Sequence, residues 1–198
     1  MSDGAAGPPS AAGELPHTRL SRFVDTSLAR LGAAASWLWL VLLVLIGLSV
    51  VLRYVFGQGR IELEELQWHV YALGFLLAIP VAVATDDHVR VDVLHERTPL
   101  RWRAWVELYG IALLLLPFVA LVLFYALPFV GRSFAVGEVS QAPGGLPLRW
   151  LIKAALPAGF ALLAVAALAR ASRASACLFA WPAPLPDDGA DAEREGAS

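Results

Sequence analysis

Two groups of residues have the types and spacing that chemistry requires. The first is Asp86, Asp87, His88, Arg90 and Asp92, with His95 close behind, separated only by Thr85 from fifteen apolar or small residues, 70–84. Carboxylates and imidazoles bind hard or borderline divalent cations. Asp86, Asp87, His88, Asp92 and His95 are therefore candidate metal ligands, and the Asp86-Asp87-His88 cluster could serve a metal-dependent sensor or a membrane enzyme. No second half of a coordination sphere is evident elsewhere, and ligand count alone does not define a site. The other reading is polar punctuation. The charges end an apolar helix, and Arg90 pairs with a nearby aspartate close to lipid phosphates.

The second group is Arg53, Glu64, Glu65 and His69. Glu65 and His69 are four residues apart and share a helix face. Arg53 ends the preceding apolar run and can approach Glu64 or Glu65. A carboxylate and an imidazole at a membrane edge could bind a coupling ion or relay protons. A structural ion pair or a partner contact uses the same residues, and their place at the interface rather than the midplane favours that reading. A third stretch, "FAVGEVSQAPGGLPLRW" (134–150), holds Glu138 and Ser140 for polar contacts and Trp150 as an anchor. Its Gly137, Gly144, Gly145, Pro143 and Pro147 can hold a fixed irregular shape. It is longer than a minimal helix–helix turn, so it is either functional or a passive connector.

The elements that must position these residues follow from the spacing of charge. Of 198 residues 58% are hydrophobic and only 16% charged, against about 25% in soluble domains. Arg30 and Arg53 bracket 22 uncharged residues, Glu65 and Asp86 bracket 20, and Glu107 and Arg132 bracket 24. Arg149 and Arg170 bracket 20 that include one charge, Lys153. A hydrocarbon core about 30 Å thick needs roughly 20 helical residues. The reading is an all-α integral membrane protein with four transmembrane helices at about 33–56, 62–85, 105–130 and 148–172. A soluble bundle would show a polar face on each helix, and 33–52 is apolar all round. The first run starts too late and is too long for a cleaved signal peptide.

Leu20, Phe23, Val24, Leu28 and Leu31 recur at helical spacing, with Arg19, Arg22 and Arg30 off the stripe. This predicts an amphipathic interfacial helix before the first span, the alternative being a plain extension of that span. The domain reading is a disordered tail at 1–17, a four-helix membrane domain at 18–175, and a disordered acidic tail at 176–198. Pro80, Pro117, Pro128 and Pro157 fall inside spans, where neighbouring helices can satisfy freed carbonyls. The single cysteine, Cys177, is read as lying just past the last helix. It excludes an intramolecular disulfide or a cysteine cage. Ten arginines lie at the termini and the 86–103 loop, and five basic residues at the other two loops. Both termini should face the cytoplasm.

The four span centres lack charge and are poor in polar groups, there is no internal repeat, and nucleotide-binding and nucleophile-elbow motifs are missing. The net charge of −2 does not suggest nucleic-acid binding, and no cofactor motif is present. The physics points to an accessory membrane subunit. A standalone channel or small transporter, or the membrane enzyme or sensor above, remain the rivals.

"RYVFG" (53–57), "EELQWHVYALGFLLAIPVAVATDDHVRVDVL" (64–94) and "GEVSQAPGGLPLRWLIKAALPAGFALL" (137–163) resemble the small permease, or Q-type, subunit of TRAP (tripartite ATP-independent periplasmic) transporters over roughly residues 20–170. The resemblance implies a bacterial inner-membrane protein with four helices and cytoplasmic termini. It implies a large permease partner that carries the sodium and substrate sites, and a periplasmic substrate-binding protein. Typical members have tryptophan and glycine where this chain has Leu63 and Asp87. The "ELQWH" form resembles a subgroup linked to organic acids. "HVRVD" resembles the family's second-helix signature, which makes Asp87, His88, Arg90 and Asp92 assembly and anchoring residues. On that basis Arg53, Glu64, Glu65, His69, Glu138, Ser140, Gly144, Gly145 and Trp150 are structural or partner-contact candidates.

Overall fold

Helix α1 covers Arg19–Tyr54, α2 Ile61–Thr85, α3 Leu100–Tyr109, α4 Leu116–Ala135 and α5 Arg149–Phe179, and a π-helical segment, Gly110–Leu115, joins α3 to α4. These come from a computed structural model that describes residues 18–85, 99–179 and 181–182. Counting α3 to α4 as one unit, four helices among the described residues are long and apolar enough to cross a membrane. The loop residues Asp86, Asp87, His88, Arg90, Asp92 and His95, and most of the two expected tails, lie outside the described residues.

The segment expected to be a separate interfacial helix continues without a break into the first span, so it is an extension of α1. Thr18 caps it: the Thr18 hydroxyl accepts from the Ser21 amide at 3.1 Å, and the Ser21 hydroxyl accepts from the Thr18 amide at 3.0 Å. Two of the first-turn amides that a helix leaves unpaired are thus accounted for. Val24 and Leu28 of the expected apolar stripe are buried, while Leu20 and Phe23 remain exposed. Only the Val24 and Leu28 part of the stripe turns inward, into the core shared with α5. At its far end α1 stops before Gly57, which takes a left-handed φ of 64°.

The third span deviates from α geometry where Pro117 enters it. Proline has no N–H, and its ring crowds the carbonyl four residues back. Just ahead of it the backbone opens to a wider turn, and the Leu116 N–H bonds to the Ile111 carbonyl, five residues back. The fourth span runs on to Phe179, beyond the expected end at 172, and Cys177 therefore lies inside α5. Its last turns are rich in alanine, a strong helix former.

Helix α5 is the centre of the bundle. It packs against α1 and α2 on one side and against α3 and α4 on the other, and α1 and α2 form a close hairpin. A core of Val24, Leu28, Val83, Val119, Leu163, Ala166 and Ala169 joins these helices. The alanines of α5 let neighbours approach, as small residues do in membrane interfaces. Helix α2 comes close at Gly159, where a Cβ would lie 3.1 Å from the Leu76 carbonyl oxygen. Large apolar side chains such as Leu43, Leu114, Phe118, Phe124 and Leu127 face outward, a surface that suits hydrocarbon and not water.

Candidate functional site

The antiparallel arrangement sorts the polar side chains to the two ends of the bundle. One end, here the loop end, gathers the α1–α2 and α4–α5 connections. The other, the terminal end, gathers the start of α1, the end of α2, the start of α3 and the end of α5.

At the loop end, Arg53 and Glu64 form an ion pair, Nη2 to Oε1, at 2.8 Å, with side chains 59% and 44% exposed. Glu65, one residue on, points elsewhere. Its carboxylate accepts from the Ser140 hydroxyl and from the Leu146 amide at 2.7 Å. Neither of these two bonds involves His69, which shares the helix face. The His69 ring nitrogen Nδ1 instead donates to the Glu65 backbone carbonyl at 2.5 Å. The physical reason is competition: the α4–α5 loop brings two donors to the carboxylate, and the imidazole binds the carbonyl within its own helix.

Glu138 anchors the other side of that loop. The Ser133 hydroxyl donates to its Oε2 at 2.6 Å, Lys153 pairs with the same oxygen, and Arg149 Nε lies 3.8 Å from Oε1. Lys153 first, and Ser133 next, hold the Glu138 carboxyl below the usual carboxylate range. Lys153 also sits 4.1 Å above the Phe129 ring. Backbone bonds complete the loop: Glu138 N to Ser133 O at 3.0 Å, Arg149 N to Glu138 O at 3.1 Å, and Ser140 N to Leu146 O at 3.2 Å. Gly144 takes a φ of 79°, which favours glycine. Gly145 is there for space, since a Cβ would come within 2.4 Å of the Ser140 Cβ. Trp150 stacks edge-on against Phe134, with ring centres 5.2 Å apart. The irregular loop is therefore a built surface, closed by two glutamates from opposite sides.

The terminal end holds a network that local spacing does not disclose. Arg170 pairs with Glu107 of α3 and donates Nη1 to the Val83 carbonyl of α2 at 3.0 Å. That carbonyl lies two residues before Thr85, where the described part of α2 ends. One turn on, Arg173 lies 3.7 Å from Asp25 of α1. The Thr18 and Ser172 hydroxyls meet at 3.0 Å. Arg170 and Glu107 are only 12% and 19% exposed, so each needs the other as partner. The one sequence signal was position at the edge of an apolar run: Glu107 opens the run 108–131 and Arg170 closes the run 150–169.

Arg53, Glu64, Glu65, His69, Glu138, Ser140, Gly144, Gly145 and Trp150 thus share the loop end, divided between an exposed ion pair and the anchored loop. Sequence reasoning missed Ser133 as a hydroxyl donor, and it used Arg149 and Lys153 only as interface charges. Among the described residues no group of three His, Cys, Asp or Glu side chains could hold a metal ion, and the Asp86-Asp87-His88 cluster lies outside them.

No curated protein and no solved structure matches the chain. The family model for "Tripartite ATP-independent periplasmic transporters, DctQ component" matches residues 23–177, from the first turns of α1 to the last turn of α5. That is a transporter-subunit family, not an enzyme family. With four apolar helices of spanning length and this match across all of them, the chain belongs to the DctQ component family of the tripartite ATP-independent periplasmic transporters, as a small, multi-pass membrane subunit.

Proposed function

We propose that this chain is the non-catalytic scaffold of a sodium-driven importer of organic acids. It packs beside a large permease that holds the sodium and substrate sites, and it offers its loop end to the periplasmic substrate-binding protein. The observation that carries this reading is the placement of charge: the ion pairs Arg53–Glu64 and Arg170–Glu107 join helices to each other, and Glu138–Lys153 ties the α4–α5 loop to α5, all near the ends of the bundle. Carboxylates that carry a coupling ion would instead be expected near the midplane. The organic-acid class rests on the "ELQWH" resemblance alone.

The loop end faces the periplasm and both termini the cytoplasm. The ten-to-five split of basic residues supports this. A cysteine placed at Gly59 is labelled by an impermeant reagent from the periplasm, and one placed at Gly189 only after lysis. The reverse pattern inverts the orientation.

The functional reading is tested with purified components in liposomes under a sodium gradient. Liposomes that hold this chain with the large permease and the loaded binding protein take up the organic acid. Liposomes that hold this chain alone take up none. Uptake by this chain alone assigns it transport of its own and removes the scaffold reading.

A further inference from the structure

An open groove of about 730 Å³ runs along the seam of α1 and α2 at the loop end. Its walls are Leu42, Ile46 and Val50 of α1 against Trp68 and Tyr71 of α2. Beyond Leu42 the α1–α2 seam is crossed by Trp39, whose ring meets Tyr71 edge-on at 5.9 Å and packs over Gly74. At its mouth stand Arg53 and Glu64. From Leu42 to Arg53 the helix rises about 16 Å. One leaflet of hydrocarbon is about 15 Å deep, half of a 30 Å core. The groove thus has the depth of one acyl chain in one leaflet. A spanning helix of a partner would need a seam about twice as long, and the Trp39–Tyr71 contact interrupts it.

The mouth has a matching charge pattern. Arg53 has five N–H donors, and its pair with Glu64 uses Nη2 toward Oε1. Both side chains remain about half exposed. A cation and an anion side by side complement a headgroup that carries both signs. We propose that this groove binds one glycerophospholipid with a phosphoethanolamine headgroup. Its phosphate meets Arg53, its ammonium meets Glu64, and one acyl chain lies between Ile46 and Tyr71. A phosphoglycerol headgroup would meet Arg53 but bring no cation to Glu64. A phosphocholine headgroup would bring a cation with no N–H to donate. The inference is independent of the transport reading, because it concerns what this chain binds by itself.

The test is native mass spectrometry of the full-length chain released from detergent, with synthetic phosphatidylethanolamine, phosphatidylglycerol and phosphatidylcholine added in equal amounts. The wild type retains one phosphatidylethanolamine, on the order of tenfold over either competitor. Glu64→Gln removes the preference over phosphatidylglycerol. Arg53→Met lowers retention of all three. Ile46→Trp fills the groove and removes the bound lipid while the melting temperature holds. Equal retention of the three lipids by the wild type overturns the proposal. So does a phosphatidylethanolamine adduct that survives Ile46→Trp, or a crosslink from position 46 to a large-permease helix in the assembled complex.

Discussion

Glu138 draws a hydroxyl from α4 and an ammonium from α5 onto one carboxylate oxygen. Its folded pKa lies below the ordinary value, chiefly through Lys153. The sign follows from linkage: a depressed carboxylate contributes stability that is fully present above its unfolded pKa, about 4.3, and lost as pH falls through the folded value. The wild type should therefore melt above Glu138→Gln at pH 7, and the gap should shrink as pH falls below about 4. Thermal unfolding in detergent at stepped pH reads it directly. A gap that persists unchanged at pH 3 would assign the effect to shape and not to charge. At this scale the sequence was partly legible. Glu138 and Ser140 stood out as polar residues in a Gly-rich and Pro-rich loop, and Arg53 as the end of an apolar run. The direction of Glu65 was not legible, because its partners Ser140 and Leu146 come from a loop about eighty positions away and no local period encodes them. The same holds for Arg170 and Glu107.

At the scale of elements, helix existence was legible and helix extent was not. Runs of 20 or more residues with at most one charge mark the spans, but a helix continues past its apolar section wherever packing supports it. Both α1 and α5 do so, since their extensions pack on each other through Val24, Leu28 and the alanines of α5. The π-helical segment had one visible cause, Pro117, but whether a proline kinks a helix or widens its turn depends on its neighbours. The α2–α5 contact turns on Gly159, where an added Cβ meets the Leu76 carbonyl oxygen at 3.1 Å, while Gly47 has open space around it. Gly159→Leu should destabilise the bundle by roughly 1–3 kcal/mol, the usual cost of overpacking. Gly47→Leu should be close to neutral. Denaturant or thermal unfolding of the two variants decides it. Equal stability would mean that α2 and α5 are not in close contact.

For the whole molecule, the count of four spans followed from sequence, and the family match across residues 23–177 agrees with the resemblance. The arrangement around α5 did not follow, because helices that are apolar all round give no facing signal. Much of the apolar surface of α1 and α4 points away from the bundle. In the proposed scaffold role, part of that surface would meet lipid and part the permease. The central claim is that this chain works as one part of an assembly and not alone. Its most direct measurement is co-purification: an affinity-tagged copy is expressed with the candidate large permease, extracted in mild detergent, and sized by chromatography with light scattering. The account predicts a stable complex with one copy of each chain. Elution of this chain by itself, with the permease in a separate peak in every detergent that keeps both folded, would contradict it.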